Sequence, residues 1–352
     1  MSKIDPVFMA QSAWQMKIKK RPVILSYSVN SVCNLRCVFC DEWKKNQISD
    51  SNSKSFPKEP SLKEVCQIID LSVDFGIGSY NAWSTEPLLR KDLPQIMSYA
   101  KSKGMKTFTI TNGLLLKKRL FELKDVDYIS VSMDGPTATR EIRGADYDTI
   151  LDGIVYASKS GLLNQPLLMN CVISGKNLDE VSNLLHLAKE LGNVKMAVEP
   201  LYVFERMDET NWDDLEIGPD KKERFVSLMN ELIDLKKKGY PLINSKTYLQ
   251  RVRDGKVIQN CRVDCGILAI DHFGNMYNCR IHNKPLGNVL ENSEFAGNGK
   301  IIKNGIKEVW NDSKKERKNM IQNCKGCPFF GYAELTLMNN YNLESFYGYE
   351  WL

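Results

Sequence analysis

Cys33, Cys37 and Cys40 are spaced C-x3-C-x2-C and follow directly on the apolar run 23–29. Three close thiolates are a ligand set for soft metals and for iron–sulfur clusters. A structural zinc site is closed by a fourth ligand, and no Cys or His follows until Cys66. The spacing therefore predicts a metal centre with one open corner, where a substrate or cofactor binds. A zinc site or a redox motif is the competing reading of the same thiols.

A second group gathers near the other end of the chain: Cys261, Cys265, Cys279, and Cys324 with Cys327 as C-x2-C. The run 267–277, centred on Asp271-His272-Phe273-Gly274, reads as a hairpin with thiols at both ends. Followed by C-x2-C on a later loop, it makes a four-sulfur cage, and four cysteines are equally a structural zinc set. Of the remaining thiols, Cys66 sits in an apolar helical pattern and Cys171 in a strand, both as small core residues.

The elements that must position these thiols alternate along the chain. A strand at 23–29 is followed by helix 61–74, strand 78–83, helix 91–103, strand 106–111, helix 115–123, strand 127–133, helix 146–159, strand 166–173, helix 178–191 and strand 194–200. Such alternation predicts a parallel sheet covered by helices. Six units fall short of the eight that close a TIM barrel, so the expected fold class is α/β with a partial (β/α)6 barrel. Ahead of it, 1–22 reads as a helical extension capping the domain. The barrel is assigned to 23–240 with a long helix at 219–238, the second cysteine group to 241–335, and an aromatic tail to 336–352.

The first octet, with Phe39 before its last cysteine, resembles the signature of the radical S-adenosylmethionine (radical SAM) superfamily. In that family the three cysteines hold a [4Fe–4S] cluster whose fourth iron is chelated by S-adenosylmethionine, and reduction releases a 5′-deoxyadenosyl radical. The barrel is that family's fold. Ser84-Thr85-Glu86-Pro87 stands where the family has Gly-Gly-Glu-Pro, which pairs with the cofactor's amino group; the chain keeps Glu86 and replaces both glycines. Ser132-Met-Asp134-Gly135 is similar to the family's Ser-x-Asp-Gly segment, and the resemblance implies cofactor contacts from Ser132 and Asp134, with Asn112 and Arg143 beside them. Ligands of parallel α/β sheets gather at the carboxyl ends of the strands, where Glu199 also falls.

Residues 241–335 resemble the Twitch or shortened SPASM domain, with its C…G-x4-C…C-x2-C pattern. The resemblance points to Cys265, Cys279, Cys324 and Cys327 as ligands of one auxiliary [4Fe–4S] cluster. Cys261 is left over, as a substitute ligand, a reactive thiol or a structural one.

Composition narrows the function class. The hydrophobic share of 43% and charged share of 26% are those of a globular protein. No apolar run approaches the roughly 20 residues that span a bilayer, and residues 1–21 lack the apolar core of a signal peptide. A cytoplasmic protein is expected, in which ten cysteines favour metal or redox chemistry over disulfides. A net charge of +5, with basic residues interspersed among acidic ones, speaks against dedicated nucleic-acid binding.

The expected function is a radical SAM enzyme that abstracts hydrogen from an unactivated C–H bond of a small metabolite or peptide. The auxiliary cluster would accept an electron, making the net reaction an oxidation, and the resemblance implies an electron donor such as flavodoxin or ferredoxin. Cys171 and Glu199 are the candidate catalytic groups. If Cys171 returned a hydrogen atom to the substrate radical, the outcome would be epimerisation. A non-enzymatic metal or electron-carrier protein is the alternative from another class.

Overall fold

The β-branched and aromatic runs between polar turns form strands that meet in one nine-stranded sheet. Its order is β6-β5-β4-β3-β2-β1-β7-β8-β9. The strands are β1 (Ile24–Ser28), β2 (Ser79–Trp83), β3 (Lys106–Thr111), β4 (Tyr128–Ser132), β5 (Leu167–Ile173), β6 (Val194–Pro200), β7 (Ile267–Ile270), β8 (Asn275–Tyr277) and β9 (Pro285–Asn288). The computed structural model describes residues 6–40, 42–43, 59–83, 85–202, 214–279, 284–342 and 344–345.

Strands β1 to β6 pair in parallel, each beside the one before it in the chain. β6 and β9 stand at opposite edges, so the sheet is open, as six βα units predict. β7 pairs in parallel with the free side of β1, then reverses through β8 and β9. The expected hairpin at 267–277 is thus present, and it extends the barrel sheet.

Parallel pairing keeps partners on the same face, so the register sorts the side chains. On the helix-covered face lie Tyr27, Ala82, Val131, Met169, Cys171 and Met196, all buried. The opposite, inner face carries Ser26 beside Asn81, Ser28 beside Trp83, Ser132 beside Asn170, and Val172 beside Glu199. Burial alternates accordingly along β5, where Leu167, Met169, Cys171 and Ile173 are fully buried while Leu168, Asn170 and Val172 remain half-buried. A sheet that hides its apolar side chains under helices and turns hydroxyls, amides and a carboxylate inward has built a polar chamber.

The helices that connect the parallel strands are amphipathic, with their apolar stripes buried. α1 (Pro6–Lys17) precedes β1, and α2 (Leu62–Phe75), α3 (Leu93–Ser102), α4 (Tyr147–Lys159) and α5 (Val181–Leu191) connect the parallel strands. α2 starts at a capping box, in which the Ser61 hydroxyl accepts from Glu64 N at 3.3 Å and Ser61 N donates to the Glu64 carboxylate at 2.8 Å. It stops at Gly76, whose φ of +98° suits glycine. Beyond β6 come α6 (Lys222–Lys237), α7 (Lys246–Arg253), α8 (Gly305–Asp312), α9 (Lys314–Asn323) and α10 (Phe330–Asn339). α10 runs across the expected boundary at 335. Of the tail aromatics, Tyr341 is exposed beneath the Lys17 ammonium, 4.0 Å from its ring; Phe346, Tyr347, Tyr349 and Trp351 lie outside the described residues.

Candidate cofactor and metal site

The loop bearing Cys33, Cys37 and Cys40 leaves the carboxyl end of β1 and is fastened on two sides. On the β2–β3 side, Glu86 N donates to Val32 O at 3.1 Å, Asn30 Nδ2 donates to Glu86 O at 2.8 Å, and Asn112 Nδ2 donates to Asn34 Oδ1 at 2.8 Å. On the β4 side, Val38 N donates to Ile142 O at 2.8 Å and the Cys37 thiol reaches Arg143 O at 3.8 Å. A loop tied at so many main-chain groups holds its three thiols without needing regular structure of its own.

Burial pushes the Cys33 and Cys37 thiols up and that of Cys40 to about 12, and each of Cys37 and Cys40 is raised further by the cysteine before it. Three thiolates here would repel one another, and a bound cation-rich centre removes that cost. Among the described residues, no three His, Cys, Asp or Glu side chains close tightly enough for a single metal ion.

Each of the expected cofactor-binding residues can now be placed. Glu86 is fully buried, and its carboxylate accepts from Leu88 N at 3.0 Å, Thr111 Oγ1 at 2.7 Å and Asn112 N at 2.7 Å. These three bonds tie the ends of β2 and β3 together and leave acceptor capacity on the Oε2 oxygen that Asn112 N meets. Thr85 donates to Asn30 Oδ1 at 2.7 Å, and Ser84 lies outside the described residues.

Asp134 is likewise engaged by the chain itself. It accepts from Arg143 Nε at 2.6 Å and Nη2 at 3.0 Å and from Val172 N at 2.8 Å, with both residues buried. The pair forms an internal strut. Burial opposes the charge on Arg143, yet the Asp134 carboxylate outweighs it and holds the guanidinium well above its usual pKa. The same guanidinium lies 5.2 Å from the Phe39 ring centroid, so Phe39 packs on the strut. Gly135, at φ +105°, lets the chain turn here, where a Cβ would collide with the Glu180 carboxylate.

Ser132, Asn170 and Glu199 face the polar chamber. Asn170 Nδ2 is 3.5 Å from Glu199 Oε1, and Phe330 N donates to Glu199 Oε2 at 3.3 Å. Burial raises the Glu199 pKa, opposed by these two donors. Cys171, one residue along β5, points the other way into the core, where Asn177 Nδ2 is 3.8 Å from its sulfur. Its place as a hydrogen donor to a substrate in the chamber is corrected: strand alternation puts the sheet between them.

In the second thiol group, Cys261 packs in one cluster with Cys279 and Cys327. Burial raises Cys327 to about 12 with Cys261, Cys279 and Cys324 as neighbouring thiols, and Cys261 to about 11 with Cys279 and Cys324 near it. Cys265 is instead fully buried and accepts from Arg262 Nη2 at 3.2 Å. The reason is local: a helical turn begins at Val263, so Cys261 lies before the turn and Cys265 inside it, facing different surroundings. Thr336 braces Cys261, its hydroxyl accepting from Arg262 N at 3.0 Å and reaching the Cys261 sulfur at 3.8 Å. Sequence reasoning also passed over Asn30, Asn34 and Asn177, the last of which donates to Asp134 O at 2.8 Å. Only their polarity at strand ends marks them out.

The family model of the radical SAM superfamily matches residues 27–188, from β1 through the cysteine loop to α5. The chain carries a radical SAM domain. This domain is similar to a probable GTP 3′,8-cyclase of Sulfurisphaera tokodaii, 33% identical over 174 residues that cover 48% of this chain and 52% of that protein. A probable GTP 3′,8-cyclase of Methanococcus maripaludis is 30% identical over 178 residues, 49% of this chain and 57% of that one. The match thus spans about half the length of these curated relatives. Among solved structures, native anSMEcpe with bound AdoMet superposes with a TM-score of 0.63 at 16% identity, over 93% of this chain and 97% of the other. Streptococcus suis SuiB bound to S-adenosylmethionine gives 0.59 at 16% identity, over 83% and 70%. The fold of the radical SAM domain and of the hairpin-and-helix unit after it is therefore shared with these proteins. Among the described residues, no helix is long and apolar enough to cross a membrane.

Proposed function

We propose that the chain is a radical SAM enzyme in which Cys33, Cys37 and Cys40 hold a [4Fe–4S] cluster at the mouth of the polar chamber. When bound, the cluster and S-adenosylmethionine supply a 5′-deoxyadenosyl radical that abstracts hydrogen from an unactivated C–H bond. The observation that carries this reading is the placement of the three-thiol loop at the carboxyl end of β1, pinned to β2, β3 and the segment after β4 beside the open chamber.

The chain's own residues bind and orient. Glu86 and Asn112 fix the cysteine loop, the Asp134–Arg143 strut backs it, and Ser132, Asn170 and Glu199 offer hydrogen bonds to what enters the chamber. Thr85, Ser132 and the remaining acceptor capacity of Glu86 and Asp134 are the contacts offered to the cofactor.

Cys261, Cys279, Cys324 and Cys327 hold one auxiliary [4Fe–4S] cluster, with Cys265 outside the cage. An electron taken up there makes the net reaction an oxidation of a peptide or small metabolite. Solved relatives of this fold include SuiB bound to precursor peptide SuiA and anSMEcpe with a bound peptide, and both fit that substrate class. An electron donor such as flavodoxin or ferredoxin completes the cycle.

Anaerobic reconstitution tests the proposal. About eight irons per chain are expected, together with release of 5′-deoxyadenosine on reduction with S-adenosylmethionine present. Cys37→Ala should abolish that release. A protein that takes up zinc and no iron, or a Cys37→Ala variant that cleaves the cofactor normally, would overturn it.

A further inference from the structure

One surface outside the chamber has a charge pattern that the reaction itself does not use. Between the segment after α1 and the outer side of α9 lies a groove of about 700 Å³ whose lining includes Lys19, Lys20, Arg21, Lys314, Arg317 and Lys318. The three α9 cations fall at i, i+3 and i+4 and so form one stripe along the helix. Asp264 is the single acidic residue in the lining.

Several surface cations elsewhere are paired, Lys101 with Asp127 at 2.9 Å, Lys103 with Asp70 at 2.6 Å, and Lys284 with Glu316 on the neighbouring side of α9 at 2.6 Å. Among the described residues, no carboxylate stands within salt-bridge distance of Lys19, Lys20, Lys314 or Lys318, all of which are exposed. Arg317 is only 7% exposed and stacks 3.4 Å over the Trp310 ring. It donates to Trp310 O at 2.9 Å and to Ser313 Oγ at 3.3 Å, neither of which is an anion. Burial without a contacting carboxylate lowers its pKa to about 10, with Asp264 acting against the shift. A cation kept in so unfavourable a place, at the centre of a stripe of unpaired ones, is complementary to an anionic surface.

The floor of the groove identifies the kind of partner. Cys261 lines it, and this thiol belongs to the cage with Cys279, Cys324 and Cys327. A macromolecule seated on the lysines would stand one thiol away from that cage. We infer that this groove is the docking surface for an acidic one-electron carrier protein, placed over the auxiliary thiol cage. The inference rests on the reading of the cage as a cluster site. Charges spread over two elements suit the acidic face of a protein, and the nearness of the thiol cage suits a partner that exchanges electrons.

Flavodoxin is the probe. Its affinity for the reconstituted protein, measured by titration calorimetry, should weaken steeply as salt is raised, because exposed charges act over a Debye length of only about 8–10 Å at physiological ionic strength. The double variant Lys314→Glu/Lys318→Glu should bind at least about tenfold more weakly at low salt. Iron content and dithionite-driven release of 5′-deoxyadenosine should stay at wild-type levels, since both lysines are exposed and outside both thiol sets. Lys117→Glu/Lys159→Glu, far along the sequence on other elements, should bind flavodoxin nearly as wild type does.

About eight irons with flavodoxin affinity unchanged in the α9 variant would overturn the docking surface and leave the proposed function standing. About four irons would instead overturn the cage, and the inference with it. A short oligonucleotide that displaces flavodoxin and binds more tightly would assign the groove to nucleic acid and overturn the inference as well.

Discussion

Arg143 lays Nε and Nη2 on the two carboxylate oxygens of Asp134, at 2.6 and 3.0 Å, directly behind the cysteine loop. The bond pattern explains how a loop without regular structure is held at a fixed depth. Ile142 O receives Val38 N, Arg143 O lies against the Cys37 thiol, and the guanidinium on the same residue is locked to β4's end. Charge, main chain and the Cys37 thiol are joined through two consecutive residues.

Removing one partner of a buried ion pair leaves the other uncompensated, at a cost of about 3–5 kcal/mol. Asp134→Ala should therefore lower the melting temperature strongly and reduce iron retained after reconstitution. It strands Val172 N as well as Arg143. Arg143→Met should be milder, because Val172 N still serves the carboxylate. Equal melting temperatures for the wild type and Asp134→Ala would show that the strut carries no load.

The alternation of helix and strand patterns from residue 23 to 200 was legible because parallel, helix-covered strands are written in continuous apolar and β-branched runs. The Cys33–Cys40 loop was legible from spacing alone. Side-chain partnership was not. Nothing in Glu86-Pro87 tells that the carboxylate turns back to Thr111 and Asn112, because those residues lie a strand and a helix away. Likewise Cys261 and Cys265 are indistinguishable by type, and only the helical turn starting at Val263 separates their environments. The inner polar face was available in principle: Ser26 and Ser28, Ser130 and Ser132, Lys195 and Glu199 all stand at even spacing on their strands.

Glu199 predicts a pH dependence. Its folded pKa is raised above the ordinary 4.5 by burial. A raised carboxyl contributes stability that is present below the unfolded pKa and is lost as pH rises through the folded one. Glu199→Gln keeps the shape without the charge. The variant should gain stability relative to wild type above that window and match it below, read as a difference in melting temperature that grows from pH 4.5 upward before levelling. A difference independent of pH would mean that the carboxylate is not the destabilising group.

Cys171 gives a test between oxidation and epimerisation. With the side chain buried on the helix-covered face, Cys171→Ala should cost about 1 kcal/mol of stability from lost apolar burial. Product and turnover should be unchanged. Loss of product with 5′-deoxyadenosine release intact would return the thiol to the role of hydrogen donor.

The most discriminating pair of variants is Cys261→Ser and Cys265→Ser. A serine hydroxyl is a poor substitute for a thiolate on iron, since clusters are held by cysteine sulfur. If Cys261 closes the cage with Cys279, Cys324 and Cys327, its replacement should drop the iron count from about eight to about four. Release of 5′-deoxyadenosine should persist, because the Cys33–Cys40 loop is untouched. Cys265→Ser should keep all the iron. Its expected defect is a modest loss of stability, because the Arg262 guanidinium that donates to this sulfur at 3.2 Å meets a shorter acceptor. The reverse pattern, with iron lost only from Cys265→Ser, would mean that the turn at Val263 rearranges when the cluster is inserted.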